Sequence, residues 1–185
     1  PALVAQASPD TTVTVKFGAF VDGYYAWDFN RPRSLDRAFT TQPARHNEFN
    51  VNLAFVEAVL TGERVRGRLA LQAGTSVQSN SFAEPQVGAV SGGVLSRNIQ
   101  EATVGVRLHP RLWLDGGIYF SYVGLEGWVS GDNPTYTPSL IADYTPYYLS
   151  GAKLTWQVSR TVQAQLHLMN GWQNVSETNA DKAVG

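Results

Sequence analysis

The chain has 185 residues, of which 43% are hydrophobic and 16% are charged, with a formal net charge of -1 and no cysteine. These values suit one folded domain and exclude a disulfide framework, a thiolate metal site and the strongly basic surface of a nucleic-acid-binding protein. No apolar run approaches the roughly 20 residues of a transmembrane helix, so a membrane-spanning form could only be a closed β-barrel.

The first seven residues are similar to the end of a secretory signal. Ala5 and Ala7 occupy the small-residue positions of a cleavage site before Ser8. We therefore interpret residues 1–7 as the remnant of a signal peptide, with an ordinary flexible N-terminus as the alternative. Residues 8–185 are then expected to form the N-terminal part of a single outer-membrane β-barrel domain.

Period-two alternation of apolar and polar residues predicts about seven β-strands. They are expected at residues 12–29, 48–60, 64–78, 97–108, 112–122, 147–158 and 162–172. In the second strand, Leu53 and Phe55 fall on the apolar parity, but Glu57 falls there too. This break in step predicts a bulge or a strand end near Glu57.

The connections between these strands alternate between short and long. Tight turns are expected at 61–63, 109–111 and 159–161, and long loops at 30–47, 79–96 and 123–146. If Gly62, Pro110 and Arg160 are the turn centres, opposed residue numbers sum to 124, 220 and 320, and even sums place polar side chains opposite polar ones. The pattern is typical of an all-β, antiparallel, up-and-down transmembrane β-barrel with short periplasmic turns and long external loops.

A soluble β-sandwich is the alternative, because its strands alternate in the same way. The positions of the aromatic residues favour the membrane barrel. Eight of them have outward parity and lie near the long loops, as in an interfacial girdle. These membrane-interface aromatics are Tyr25, Trp27, Phe29, Phe49, Phe120, Tyr122, Tyr148 and Trp172.

Seven segments form a recognisable set of motifs. They read FVDGYYAWDFN at 20–30, RHNEFNVNLA at 45–54 and LWLDGGIY at 112–119, with NIQEA at 98–102, PYY at 146–148, GAKL at 151–154 and NGWQ at 170–173. Together these segments resemble the OmpL-like β-barrel porin family. The resemblance implies a barrel in the outer membrane of a Gram-negative bacterium, and it carries over no catalytic residue and no solute. Because such barrels usually contain more than seven strands, we expect the chain to be incomplete at its C-terminus.

Charged side chains with inward parity are the candidate pore-lining residues. Lys16, Arg66, Arg68, Arg107 and Lys153, with Asp115, are expected near the short turns, and Asp22, Asp28, Glu48 and Glu101, with Arg97, near the long loops. Either the two groups create an electric field along the pore, or the bases and acids pair with one another. These two alternatives predict different ion selectivities, and the sequence does not choose between them.

The function expected from these patterns is a channel for passive diffusion of small hydrophilic solutes, not an enzyme. No cofactor and no metal site is expected, and the partners are outer-membrane lipid and the solutes, with a homo-oligomer or a surface partner left open. One alternative is a structural or adhesive barrel whose long loops bind a partner. A barrel hydrolase is the other, but His46, His109 and His167 have no forced contact with a nucleophile.

Overall fold

A computed structural model of the chain describes residues 12–90 and 93–185. The predicted signal remnant at residues 1–7 lies outside these described residues. Within them the strands are β1 (Thr14–Tyr25), β2 (Phe49–Thr61), β3 (Val65–Ala73), β4 (Ile99–His109), β5 (Leu112–Phe120), β6 (Tyr148–Gln157), β7 (Gln163–Met169) and β8 (Ala183–Val184). Short helices α1 (Thr75–Asn80), α2 (Gly93–Ser96) and α3 (Leu140–Asp143) and a 3-10 turn (Ser130–Asp132) lie in the connections.

The eight strands form one antiparallel sheet in which each strand pairs with its neighbours in the sequence. This confirms the predicted all-β, up-and-down fold class, although the sheet is not closed, because β1 and β8 do not pair within the described residues. All seven predicted strands are present, and the two-residue strand β8 was not predicted. None of the described helices is both long enough and apolar enough to span a membrane.

The connections separate the sheet into two ends. Residues 62–64, 110–111 and 158–162 are short turns at one end. Loop 1 (residues 26–48), loop 2 (74–98) and loop 3 (121–147) lie at the other end, with the C-terminal segment 170–182. The predicted alternation of short and long connections is therefore confirmed.

The sheet is strongly curled. Side chains from β2 to β7, including Thr61 and Gln165, line a single cavity of about 510 Å³. Five strand spacings amount to roughly 24 Å along a flat sheet, so these strands can share one cavity only on the concave face of a curled sheet. The cavity lies nearer the short turns, since Gly62 also lines it.

The predicted register of the first hairpin was wrong. Residues of β2 and β3 pair with a sum of 127, as in Phe55 with Gln72, and not 124. The register with β1 shifts between Asp22 and Gly23, which leaves Asn52 unpaired as a bulge. The bulge inverts the alternation, so Leu53 and Phe55 pack inward with the buried cluster, whereas Val56 is exposed. The other two hairpins have the predicted sums of 220 and 320 over most of their length.

Most of the predicted strands were too long at the loop end, and the first, third and seventh were so by three residues or more. The first ends at Tyr25 and the seventh at Met169. The third ends at Ala73 because Gly74 has a φ of +139°, and the residues that follow form α1. Ser76 and Val77 of this helix are buried, so the end of the third predicted strand instead packs inside the curled sheet.

Side chains of both parities pack inward at the loop end of β5, since Tyr119, which has the parity of Asp115, is buried and lies beside Lys153. Asp115 contacts Arg66 and Phe120 contacts Arg68, although the two residues have opposite parity and both arginines lie on the same face of β3. Between them lies Gly117, whose φ is +128°. Glycine adopts a positive φ of this size without strain, whereas a residue with a side chain is strained there.

We expect Gly117→Ala to destabilise the barrel by roughly 2 kcal/mol or more, because the new Cβ would overlap the backbone oxygen of Ala102 in an unfavourable φ region. The urea midpoint of unfolding, followed by heat-modifiable gel mobility, measures the loss. Gly116→Ala is the matched control, since its Cβ would meet no atom closer than 3.9 Å. Equal midpoints for the two variants would contradict this role of Gly117.

Candidate functional site

The convex face of the sheet presents large apolar side chains to its surroundings. Phe17 is 83% exposed and Val104 is 66% exposed. Other exposed apolar side chains of the strands are Leu69, Leu71, Val106, Leu108, Leu114, Trp156, Leu166 and Leu168. A monomeric soluble protein rarely exposes a contiguous apolar surface of this kind, whereas a lipid-facing barrel wall requires it.

Most of the predicted interface aromatics lie exposed near the long loops. Tyr25, Trp27, Phe29, Phe49, Tyr122 and Trp172 are all exposed. Phe120 and Tyr148 differ, because Phe120 packs against the buried cluster and Tyr148 stacks on Trp128 of loop 3. Phe120 and Tyr148 therefore pack against the cluster and loop 3, and an interfacial girdle formed by the other six stays a prediction.

The charged side chains of the concave face pair with one another. Arg68 of β3 donates to Glu57 at 2.6 Å and also to Glu101. Its guanidinium group further lies over the rings of Phe55 and Phe120. Arg68 is thus held between two carboxylates and two aromatic rings in the middle of the concave face.

A second pair lies closer to the short turns. Arg66 donates to both carboxylate oxygens of Asp115, with a distance of 2.6 Å from Nε to Oδ1, and stacks 4.4 Å above the Trp113 ring. Lys153 pairs with Asp115 across the strands, but its ammonium group lies 4.8 Å from the Tyr119 ring. Both oxygens of Asp115 accept from Arg66, and Lys153 makes no ion pair within the described residues.

The remaining predicted pore-lining residues are more peripheral. Lys16 is exposed on β1. Arg107 donates to the backbone oxygens of Glu63 and Pro110 at the short turns. Asp28 accepts from the backbone of Asn30 within loop 1, Glu48 pairs with Arg45, and Arg97 is exposed in loop 2.

At the long-loop end, loop 3 folds across the concave face. Ser130 and Tyr136 of this loop each donate to Asp22 of β1, at 2.7 and 2.8 Å. Loop 3 leaves the sheet at β5, four strands from β1, so it crosses the whole concave space to reach this carboxylate. Burial, reinforced by the carboxylate of Asp22, raises the pKa of Tyr136, so its hydroxyl stays a donor.

An apolar cluster fills the space beneath this crossing. Trp128 of loop 3 is 1% exposed, stacks on Tyr147 and Tyr148, and donates to Ser76 of α1 at 3.3 Å. Leu53 and Val77 complete the buried cluster. The long-loop end is therefore narrowed by the chain's own loops, while the short-turn end keeps the open cavity.

Loop 1 contains a solvent-accessible ion pair between Arg45 and Glu48, and this pair makes the stability of the loop depend on pH. Hydrogen bonds from Arg45, and then from Asn50, lower the pKa of the Glu48 carboxyl. A carboxyl whose folded-state pKa is depressed stabilises the fold above its unfolded pKa, and this contribution is lost as pH falls through the folded pKa. The stabilisation by Glu48 is therefore lost in acid, at pH values below the ordinary pKa of glutamate.

We expect Glu48 to titrate at lower pH in the wild-type protein than in an Arg45→Met variant, because the variant lacks the guanidinium group that favours the ionised form. NMR titration of the side-chain carboxyl carbon measures both midpoints. Glu177, whose pKa is lowered by Lys182, is the internal control and should titrate alike in both proteins. Identical midpoints for Glu48 would contradict the assignment.

The three histidines make contacts of other kinds. His46 accepts from the backbone of Asp28 and packs 4.9 Å from the Trp27 ring. His109 accepts from the backbone of Arg111 in its turn, and His167 is hydrogen-bonded to Tyr119 and Gln165. Within the described residues, none of these hydrogen bonds joins a histidine to a serine or threonine hydroxyl.

Sequence reasoning missed several residues of the concave face. Glu57 was left out because the hairpin register was taken without the bulge, although the break of alternation at Glu57 was a visible signal. Trp113 and Thr155 were left out because only charged residues were sought. The contacts of Ser130 and Tyr136 with Asp22 join residues more than 100 positions apart, and no local pattern indicates them.

A curled antiparallel sheet with an apolar convex face, a charged concave face and an inward-folded loop defines a porin-type β-barrel protein. Residues 14–185 match the family described as "Putative beta-barrel porin-2, OmpL-like". The chain belongs to this family, which is a porin class and not an enzyme class. No curated protein matches the chain, and no solved structure does.

Proposed function

We propose that the protein is a channel in the bacterial outer membrane for passive diffusion of small hydrophilic solutes. Its convex face contacts outer-membrane lipid, and its concave face forms part of the wall of a water-filled pore. The short turns lie on the periplasmic side and loops 1 to 3 on the external side, in the usual orientation of such barrels. Solutes enter past loop 3 and leave through the cavity near the short turns.

The observation that carries this proposal is the contrast between the two faces. Exposed valines and leucines cover the convex face, whereas charged, amide and hydroxyl side chains from six strands line one concave cavity. A soluble sandwich has the reverse requirement, because its enclosed face must be apolar. A polar interior within an apolar wall is the arrangement of a membrane pore.

Planar-bilayer conductance of the refolded full-length protein tests the proposal. We expect discrete steps of current in the presence of KCl, with uncharged sugars of small size permeating proteoliposomes in a swelling assay. The same protein kept unfolded in urea is the control for leakage through the bilayer. Absence of current above that control, from protein with the heat-modifiable mobility of a folded barrel, would overturn the proposal.

A second function, binding of a surface partner or of another copy of the chain, is supported by apolar side chains at the long-loop end. Phe39, Phe82, Leu125 and Ile141 are each more than three-quarters exposed on the loops. Apolar side chains exposed together mark interaction surfaces in many proteins. A barrel that binds a partner but carries no current would favour this function over diffusion.

A further inference from the structure

A groove of about 690 Å³ crosses the convex face from β1 to β5, close to the short turns. Its volume lies in the range of pockets that bind small molecules. The groove is open because Ala58, Gly67 and Gly116 have little or no side chain, and larger apolar side chains border it. The bordering residues are Val15, Leu60, Val65, Leu69 and Val104. On a lipid-facing surface, such a groove suits a hydrocarbon chain and not a polar solute.

The short turns beside the groove have an excess of positive charge. Four arginines lie on these turns or at the strand end next to them, and Glu63 is the one acid on the turns of the described chain. The arginines are Arg64, Arg107, Arg111 and Arg160. None of the four makes an ion pair within the described residues. The turn end of the barrel therefore attracts anionic groups at the membrane surface.

Two of these arginines lie at the turn end of the groove. Arg64 is exposed and directly precedes Val65, which borders the groove. Arg107 lies opposite Arg64, and its backbone N–H donates to the Arg64 oxygen at 2.9 Å. The guanidinium group of Arg107 donates to the backbone oxygens of Glu63 and Pro110, which occupies two of its five donors. Both arginines therefore have donors left for a phosphate group.

We propose that the groove and these two arginines form a binding site for one anionic phospholipid of the periplasmic leaflet. An acyl chain of the lipid fills the groove, and Arg64 and Arg107 bind the phosphate group. The long arginine side chains can lie along the apolar surface while their charged ends reach the headgroup level. This inference rests on the membrane orientation given in the proposed function, and it does not require the pore to conduct.

A second copy of the chain fits the groove less well than a lipid does. Copies in one membrane have the same orientation, so their short turns lie at the same depth. Arg64 and Arg107 of both copies would then meet across the interface, and like charges placed together oppose binding. An anionic lipid supplies the counter-charge that a second copy lacks.

Native mass spectrometry of the refolded full-length protein tests the site. The detergent micelles contain equal amounts of palmitoyl-oleoyl phosphatidylglycerol and palmitoyl-oleoyl phosphatidylcholine, which have identical chains and differ in headgroup charge. We expect one phosphatidylglycerol per chain, retained about tenfold or more over phosphatidylcholine. Arg64→Gln should reduce this preference about fivefold, the usual contribution of one arginine at a headgroup. Arg160→Gln, at the exposed turn between β6 and β7, should leave the preference unchanged.

Ala58→Phe separates the groove from general lipid contact. The new ring fills the groove, so the folded variant, identified by heat-modifiable mobility, should retain severalfold less phosphatidylglycerol. Val56→Phe places the same ring two residues away on β2, outside the groove, and should retain the wild-type amount.

Equal retention of the two lipids by the wild-type protein, or unchanged retention in Arg64→Gln and Ala58→Phe, would overturn the inference. A dimer that retains no lipid would also overturn it and would assign the groove to a second copy. Current through the pore without a preferred lipid would refute the site alone. A bound phosphatidylglycerol on a folded protein that carries no current would refute the diffusion function alone.

Discussion

We expect the Asp22→Ala variant to conduct more current than the wild-type protein, because the carboxylate that fastens loop 3 across the pore is lost. Asp22 accepts hydrogen bonds from Ser130 and Tyr136 of this loop and also from Asn52 of β2. Hydrogen bonds to a charged acceptor contribute about 1.5–3 kcal/mol each. Removal of the acceptor therefore favours states in which loop 3 has left the concave face.

Single-channel recording measures this effect as a larger unit conductance and more frequent changes between levels. The double variant Ser130→Ala with Tyr136→Phe should behave alike, since it removes both donors of the loop while keeping the charge of Asp22. Asp132→Ala is the matched control, because it removes an exposed carboxylate from loop 3 itself. If Asp22→Ala conducts as Asp132→Ala does, loop 3 does not restrict the pore.

The second large effect is expected at Arg68. In Arg68→Met, the carboxylates of Glu57 and Glu101 lose their shared counter-ion and remain only partly exposed, with 23% and 13% of their side-chain surface accessible. Removing one partner of an enclosed ion pair costs roughly 3 kcal/mol or more. We therefore expect a clearly lower urea midpoint and a shift of ion selectivity towards cations.

The urea midpoint and the reversal potential in a KCl gradient measure these two changes. Adding Glu57→Gln and Glu101→Gln to the Arg68→Met variant should restore much of the stability, because no unpaired charge is left. Arg111→Met, at an exposed turn position, serves as the control for loss of an arginine. A wild-type midpoint in Arg68→Met would show that the three charges do not act together.

Much of the fold follows from the sequence because the side-chain period of a strand is visible without any tertiary information. Seven strands, the short turns and the long loops were predicted, and the registers of the hairpins centred near Pro110 and Arg160 were confirmed. Strand β8 was not predicted, since two residues show no alternation. The end of β3 before Gly74 depends on backbone geometry, and the end of β1 at Tyr25 depends on loop packing. Neither can be recognised from a local sequence pattern.

The candidate site was harder to predict than the fold. Parity selects which side chains share a face, but a single bulge at Asn52 inverts every later position of β2. This inversion brings Glu57 to Arg68 and Phe55 into the buried cluster. The partners of Asp22 and Trp128 depend on the path of loop 3, which has no period. Pairing of the concave bases and acids was one of two alternatives, and Arg66 and Arg68 show that it occurs.

The most direct test of the account is the accessibility of single spin labels along β2, since the chain has no cysteine of its own. Labels at Val51, Val56 and Ala58 should respond to oxygen dissolved in lipid, and labels at Asn50, Glu57 and Val59 to a water-soluble nickel reagent. The inversion between Val51 and Val56 is the specific result predicted by the bulge and the curled sheet. Uniform access of water to all six positions, or alternation without the inversion, would contradict it.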